Sequence, residues 1–249
     1  MMTELLLSTD LWLAILRGLQ VTILITVLSV TIGLVGGIGL ALLRQFGGPM
    51  ARALAFLYIF LFRGVPLLIL LYFLYYGVPQ LSILRNGPLW TYVFSSPFVT
   101  CLLAFSLNNA AYLAEVVRGG ILAIKPGEIE AGYALGLSGP RVVRRIILPL
   151  SLRNCLGGIA NETIFTIKAS AIASVITVRD LLGEAQRFGT AFSDNITPLI
   201  AAGLVYVLLV QFVEWGTRFL RAHLHGVSRP AIKAASSSPV EAVSTNRSI

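Results

Sequence analysis

In a chain this apolar, the side chains able to do chemistry are few, and their positions carry most of the information. Asn108, Asn109, Tyr112 and Glu115 close one apolar segment, and three of them (Asn108, Tyr112, Glu115) recur at the spacing of a single helical face. Asn161, Glu162 and Lys168 interrupt a later apolar segment. A polar stripe on a membrane helix faces the bundle interior or a water-filled path, so these seven residues are candidates for lining a solute pathway. A hydrogen-bond network between helices is the alternative reading. Other chemistries lack their residues. No G-x-x-x-x-G-K-[ST] phosphate loop occurs, so nucleotide chemistry would need a second protein. His223 and His225 lie beyond the last apolar segment, and no intramembrane Asp pair or metal-ligand cluster exists, which argues against an intramembrane hydrolase. Cys101 and Cys155 sit in apolar segments without redox or metal spacing and read as inert core residues. The expectation is a protein that is not an enzyme, with no catalytic residue, metal or cofactor of its own.

The elements that must hold these residues follow from composition. Of 249 residues, 56% are hydrophobic and 12% charged, roughly half the charge of a soluble domain. The fold expected is all-α and polytopic: five transmembrane helices at about 19–43, 53–77, 98–117, 155–178 and 197–220, each near the roughly 20 residues needed to cross a bilayer. An interfacial helix over about 1–18, with Trp12 at headgroup level, precedes them. Glu4 and Asp10 in place of a basic N-terminal region argue against a cleaved signal peptide. Gly33, Gly37 and Ala41 recur every four residues and make one face of the first span flat enough for close helix packing. Arg63 lies inside the second apolar segment, and residues 179–195 read as a hydrophilic loop. The tail from about 226 to 249, rich in Ser, Ala and Pro, is expected to be disordered.

The longest polar interval between spans runs from Glu130 to Pro149, inside a loop over about 118–153. Ile129, Tyr133 and Leu137 would form an apolar strip on a short helix, with Glu128 and Glu130 near its N-terminus, where the helix dipole favours negative charge. Ser138-Gly139-Pro140 stops that helix, and Pro140 can begin another that carries Arg141, Arg144 and Arg145. Two short helices at a bend make a compact knob; an amphipathic helix lying on the membrane surface is the alternative. The excess of 19 Lys and Arg over 11 Asp and Glu is read by position and not as a nucleic-acid signal. Alternate loops place thirteen basic residues on one side and four (Arg17, Arg85, Arg179, Arg187) on the other. The positive-inside rule puts the thirteen in the cytoplasm, with the N-terminus outside and the C-terminus inside.

Four stretches resemble ABC importer permeases, the last three those of the polar amino-acid type. Glu130-Ala131, Gly136, Ile146 and Leu148-Pro149 follow the EAA-loop pattern E-A-A-x3-G-x9-I-x-L-P, with Gly132 in place of the second Ala. Arg63-Gly64-Val65-Pro66-Leu67 resembles R-G-T-P-L, departing at Val65, with Leu70 where Gln is usual. Ala111 to Ile121 matches A-Y-x-A-E-x-x-R-G-G-I, and Asn161 to Ile176 resembles the next segment but carries Ala169, Ser170 and Ala171 in place of Asp-Thr-Ser. Lys168 therefore lacks an adjacent carboxylate and would be balanced by Glu162, Glu115 or a substrate carboxylate.

The resemblance covers roughly Gly18 to Arg221. It implies a permease subunit in the bacterial cytoplasmic (inner) membrane, serving uptake of histidine, glutamine, arginine or opines by alternating access. Its partners would be a second permease subunit, identical or homologous, two cytoplasmic ATPases that bind ATP and Mg, an extracytoplasmic solute-binding protein and the lipid bilayer. The ATPase-coupling residues it implies are Glu130, Ala131, Gly132, Tyr133, Gly136, Leu137, Ile146, Leu148 and Pro149, with apolar side chains near Tyr133 and Leu137 entering a groove of the ATPase. An ion-coupled secondary transporter is the alternative function, against which stands the lack of an internal repeat between the two halves.

Overall fold

Helix α1 (Thr9–Phe46) has 38 residues, about 57 Å of helix against a hydrocarbon core of about 30 Å. In this computed structural model, which describes residues 8–82, 87 and 90–226 with side chains to 223, α1 is unbroken. The separate interfacial helix expected before residue 19 is thus continuous with the first span. Its face continues too: Leu11, Ala14, Ile15, Gly18, Thr22 and Ile25 are buried on the stripe that later carries Ser29, Gly33, Gly37 and Ala41. Nothing between Asp10 and Leu19 breaks a helix except Gly18, and Gly18 is where the chain packs against the backbone of Asp180 and Leu181.

The second apolar segment departs from the straight span expected. Helix α2 (Pro49–Gly64) ends at Val65, which is extended, and α3 (Leu67–Tyr72) sets off after Pro66. The two directions differ by 99° when α3 is taken with its continuation to Gln80. Proline supplies no N–H and disfavours helix in the residue before it, so Val65-Pro66 is the break. Helix α4 (Pro97–Leu122) is the most buried span, and α1 lies along it with Gly33 against Asn109 and Gly37 against Ala114.

Between spans, α5 (Pro126–Ala134) and α6 (Gly139–Val142) form the bent pair. The fourth span does not wait for Cys155. It grows out of α6 through a π turn at Val143–Ile147 into α7 (Leu148–Ala169) and closes in a 3-10 stretch at Ser170–Ile176. Pro149 accounts for the π turn: without its N–H the ladder slips, and the Leu148 amide reaches the Val143 carbonyl instead.

The interval 179–195, expected as loop, contains α8 (Leu181–Phe192), capped by Asp180. Its apolar residues Leu181, Ala185 and Phe188 pack on Leu11, Ala14 and Ile15 of α1 and on Ala201 and Ala202 of α9 (Ile196–Gly226). Among the described residues, four helices are long and apolar enough to cross a membrane, five if the bent α2–α3 pair is counted as one span. The tail expected to be disordered lies outside the described residues from 227 onward.

Candidate functional site

Two regions carry the residues singled out above: a knob at the α5–α6 bend and a polar zone on α1, α2, α4 and α7. In the knob, the end of α5 is closed by amides of Leu135, Gly136 and Leu137 donating to the carbonyls of Ala131, Tyr133 and Gly132 at 3.1, 2.9 and 3.2 Å. That wrap needs a left-handed residue, and Gly136 supplies it at φ 75° without a Cβ clash. Gly132 is buried against the Ile146 side chain, so the departure from the alanine pattern makes room for the second helix of the knob. Ile129, Leu137 and Ile146 pack on the cluster of Val142 and Ile147. Leu137 is thus half-buried against this cluster. The apolar side chains left outside are Tyr133, 53% exposed, and Leu135, 81% exposed. Leu135 escaped the sequence reading because it falls one residue past α5, where helical periodicity no longer says which way a side chain points. Glu130, Ala131 and Pro149 are exposed and Leu148 is half-buried.

The polar zone divides by burial. Asn108 and Asn109 are 3% and 2% exposed and cannot line an open path within this chain, which corrects their assignment as lining residues. Asn109 donates to Ser29 Oγ at 3.2 Å and accepts from Thr166 Oγ1 at 3.1 Å, tying α1, α4 and α7. Asn108 Nδ2 donates to the Phe62 carbonyl at 3.2 Å. Phe62 lies four residues before Pro66, so its carbonyl is the one the proline leaves without a helical partner. The Tyr112 hydroxyl meets the next carbonyl, that of Arg63, at 3.5 Å, and the Arg63 guanidinium lies 5.1 Å over the Tyr112 ring.

Glu115 is occupied by ion pairs to Arg44 and Arg118, the latter at 2.8 Å. It is therefore not the partner of Lys168, which makes no ion pair among the described residues, Glu162 included. Asn161, Phe165 and Lys168 are exposed at the spacing of one helical face of α7, while Glu162 is half-buried with one carboxylate oxygen enclosed and unpartnered. The arginine grouping around Glu115 was not anticipated. Its signal lay in Arg44 and Arg118 standing at the ends of two apolar segments and Arg63 interrupting another. Cys101 and Cys155 are buried free thiols, and no group of three or more potential metal ligands occurs among the described residues.

A bundle of helices long and apolar enough to cross a bilayer, with Asn161 and Lys168 exposed on one face of α7 and an apolar-tipped knob between spans, is the architecture of a polytopic membrane protein. The chain belongs to the family of binding-protein-dependent transport system inner membrane components, whose model matches residues 29–225. It is 35% identical over 198 residues to the octopine transport system permease protein OccM of Rhizobium radiobacter, covering 80% of each chain. It is 38% identical over 201 residues to the arginine transport system permease protein ArtQ of Bacillus subtilis, covering 81% of this chain and 88% of that one. Among solved structures, an amino acid ABC transporter with histidines superposes with a TM-score of 0.73 at 30% identity, over 84% of this chain and 94% of the other.

Proposed function

We propose that this chain is the membrane permease subunit of an importer for a polar amino acid or a related small solute, driven by ATP and Mg bound on separate cytoplasmic ATPase subunits. A second permease subunit would cover the outward face of α7, since a lysine and an asparagine facing lipid from a membrane helix are costly. A solute-binding protein outside would deliver the solute, and the knob would lie in the cytoplasm with the C-terminus. The relatives' substrates, octopine and arginine, support the solute class. Closure of the ATPases on ATP would rotate the spans through the knob and alternate access to the pathway.

The observation that carries this reading is the pair of apolar side chains left outside on the knob, Tyr133 and Leu135, while every other large apolar residue of α5 and α6 packs inward. A rigid element that ends in two exposed apolar groups fits a groove on another protein. Purification from native membranes should bring down an ATPase with the wild-type chain. Tyr133→Arg and Leu135→Glu should each lose it while the permease still elutes as a folded species. If no ATPase accompanies the wild type, the reading fails.

A further inference from the structure

Two recesses open between α1, α2 and α4 and share Arg44 and Phe56. One, of about 370 Å³, is walled by Arg44, Arg63, Tyr112 and Glu115; the other, of about 510 Å³, adds Arg52 and Arg118. Four guanidinium groups thus border a space that holds one carboxylate. Glu115 takes two of them, Arg44 and Arg118. Arg52 reaches the Gly47 carbonyl at 3.4 Å, and Arg63 rests on the Tyr112 ring, within electrostatic reach of the half-buried Glu162 but in no ion pair among the described residues.

Depth bears on what this recess could receive. Helix α2 is continuous from Pro49 to Gly64, so Arg63 lies about 16 Å along its axis from Arg52. Half of a hydrocarbon core is about 15 Å, so with Arg52 at the interface and α2 along the bilayer normal Arg63 would lie near mid-membrane, below the level of lipid headgroups. A guanidinium there is expensive unless it meets protein, water or an anion, and its planar fork suits a carboxylate.

We propose that this arginine-lined recess is a carboxylate-selective stretch of the cytoplasmic half of the solute pathway, with Arg63 as the guanidinium that receives the solute's carboxylate. Arg44, Arg118 and Arg52 continue the positive potential toward the cytoplasm. The proposal rests on the permease reading above.

The test uses the permease–ATPase complex in phosphatidylcholine nanodiscs, with Cys101 and Cys155 replaced by Ala and a reporter thiol at Phe60→Cys, a recess-lining position that is 67% exposed. Sulfonatoethyl and trimethylammonioethyl methanethiosulfonate are the anionic and cationic probes, each normalised to its rate with a free thiol. An anion preference of about tenfold or more is expected, as for charge-focusing clefts, and it should fall toward unity in Arg63→Gln. No preference, a preference unchanged by Arg63→Gln, or no reaction with either probe overturns the proposal. So does protection of the thiol when phosphatidylglycerol is included, since that would mark a lipid headgroup site. Failure to recover any ATPase with the chain would instead refute the permease reading itself.

Discussion

A proline in a helix leaves a carbonyl without a partner, and at Pro66 the orphan is Phe62. The Asn108 amide that meets it is buried and 46 residues distant in sequence. Asn108→Leu removes the donor and strands a partly buried carbonyl, at a cost of about 1–3 kcal/mol. Membrane hydrogen bonds average nearer 0.6 kcal/mol because other partners are usually found, but the break at Val65-Pro66 leaves this carbonyl few. Thermal unfolding in detergent should show a clear fall in Tm for Asn108→Leu; an unchanged Tm would mean the Phe62 carbonyl has another acceptable partner. The spacing of Asn108, Tyr112 and Glu115 on one face was legible in the sequence. Their roles were not, because the groups they serve belong to other helices: Phe62 and Arg63 on α2, Arg44 on α1.

At the scale of elements, hydropathy showed where helices cross but not where they begin and end. Helix α1 starts ten residues earlier than expected because its buried face includes α8, and α8 was hidden by the charges of Glu184 and Arg187 on an otherwise amphipathic segment. The apolar positions Leu181, Ala185 and Phe188 already had helical spacing. The Gly33, Gly37 and Ala41 stripe was legible, and it is where α1 meets α4. A Cβ at Gly37 would stand 2.9 Å from the Ala114 backbone nitrogen, whereas Gly39 faces open space. Backbone cannot move aside as a side-chain tip can. Gly37→Leu should force α1 off α4, costing at least about 1–3 kcal/mol in overpacking, and should sharply reduce the monodisperse fraction on size exclusion. Gly39→Leu should leave the elution profile as it is. Equal loss from both would show that the effect does not come from the packing of α1 on α4, since Leu favours helix over Gly at either position.

Across the whole molecule, α8 and α9 are joined at one buried carboxylate with α1 beside it, which no pattern in the sequence singled out because its partners are scattered along the chain. Asp180 accepts hydrogen bonds from the Gly183 and Leu182 amides at 3.0 and 3.3 Å and from the Tyr206 hydroxyl at 3.1 Å. Beside it the Leu181 amide donates to Thr22 Oγ1 at 3.1 Å, and Tyr206 lies 3.5 Å from Ser170 Oγ. Burial pushes the Asp180 carboxyl up from 3.8 to about 6, against the opposing pull of those hydrogen bonds. Since the unfolded chain releases this proton at lower pH than the folded one, the neutral carboxyl favours the fold. That contribution is complete below about pH 4, is lost as pH rises through about 6, and amounts to no more than about 3 kcal/mol. Asp180→Asn keeps a good helix cap and cannot ionise. The variant should therefore match the wild type near pH 4 and melt at a higher temperature than it near pH 8. A wild type that is instead the more stable of the two near pH 8 would mean that the ionised carboxylate is what the junction of α1, α8 and α9 is built around.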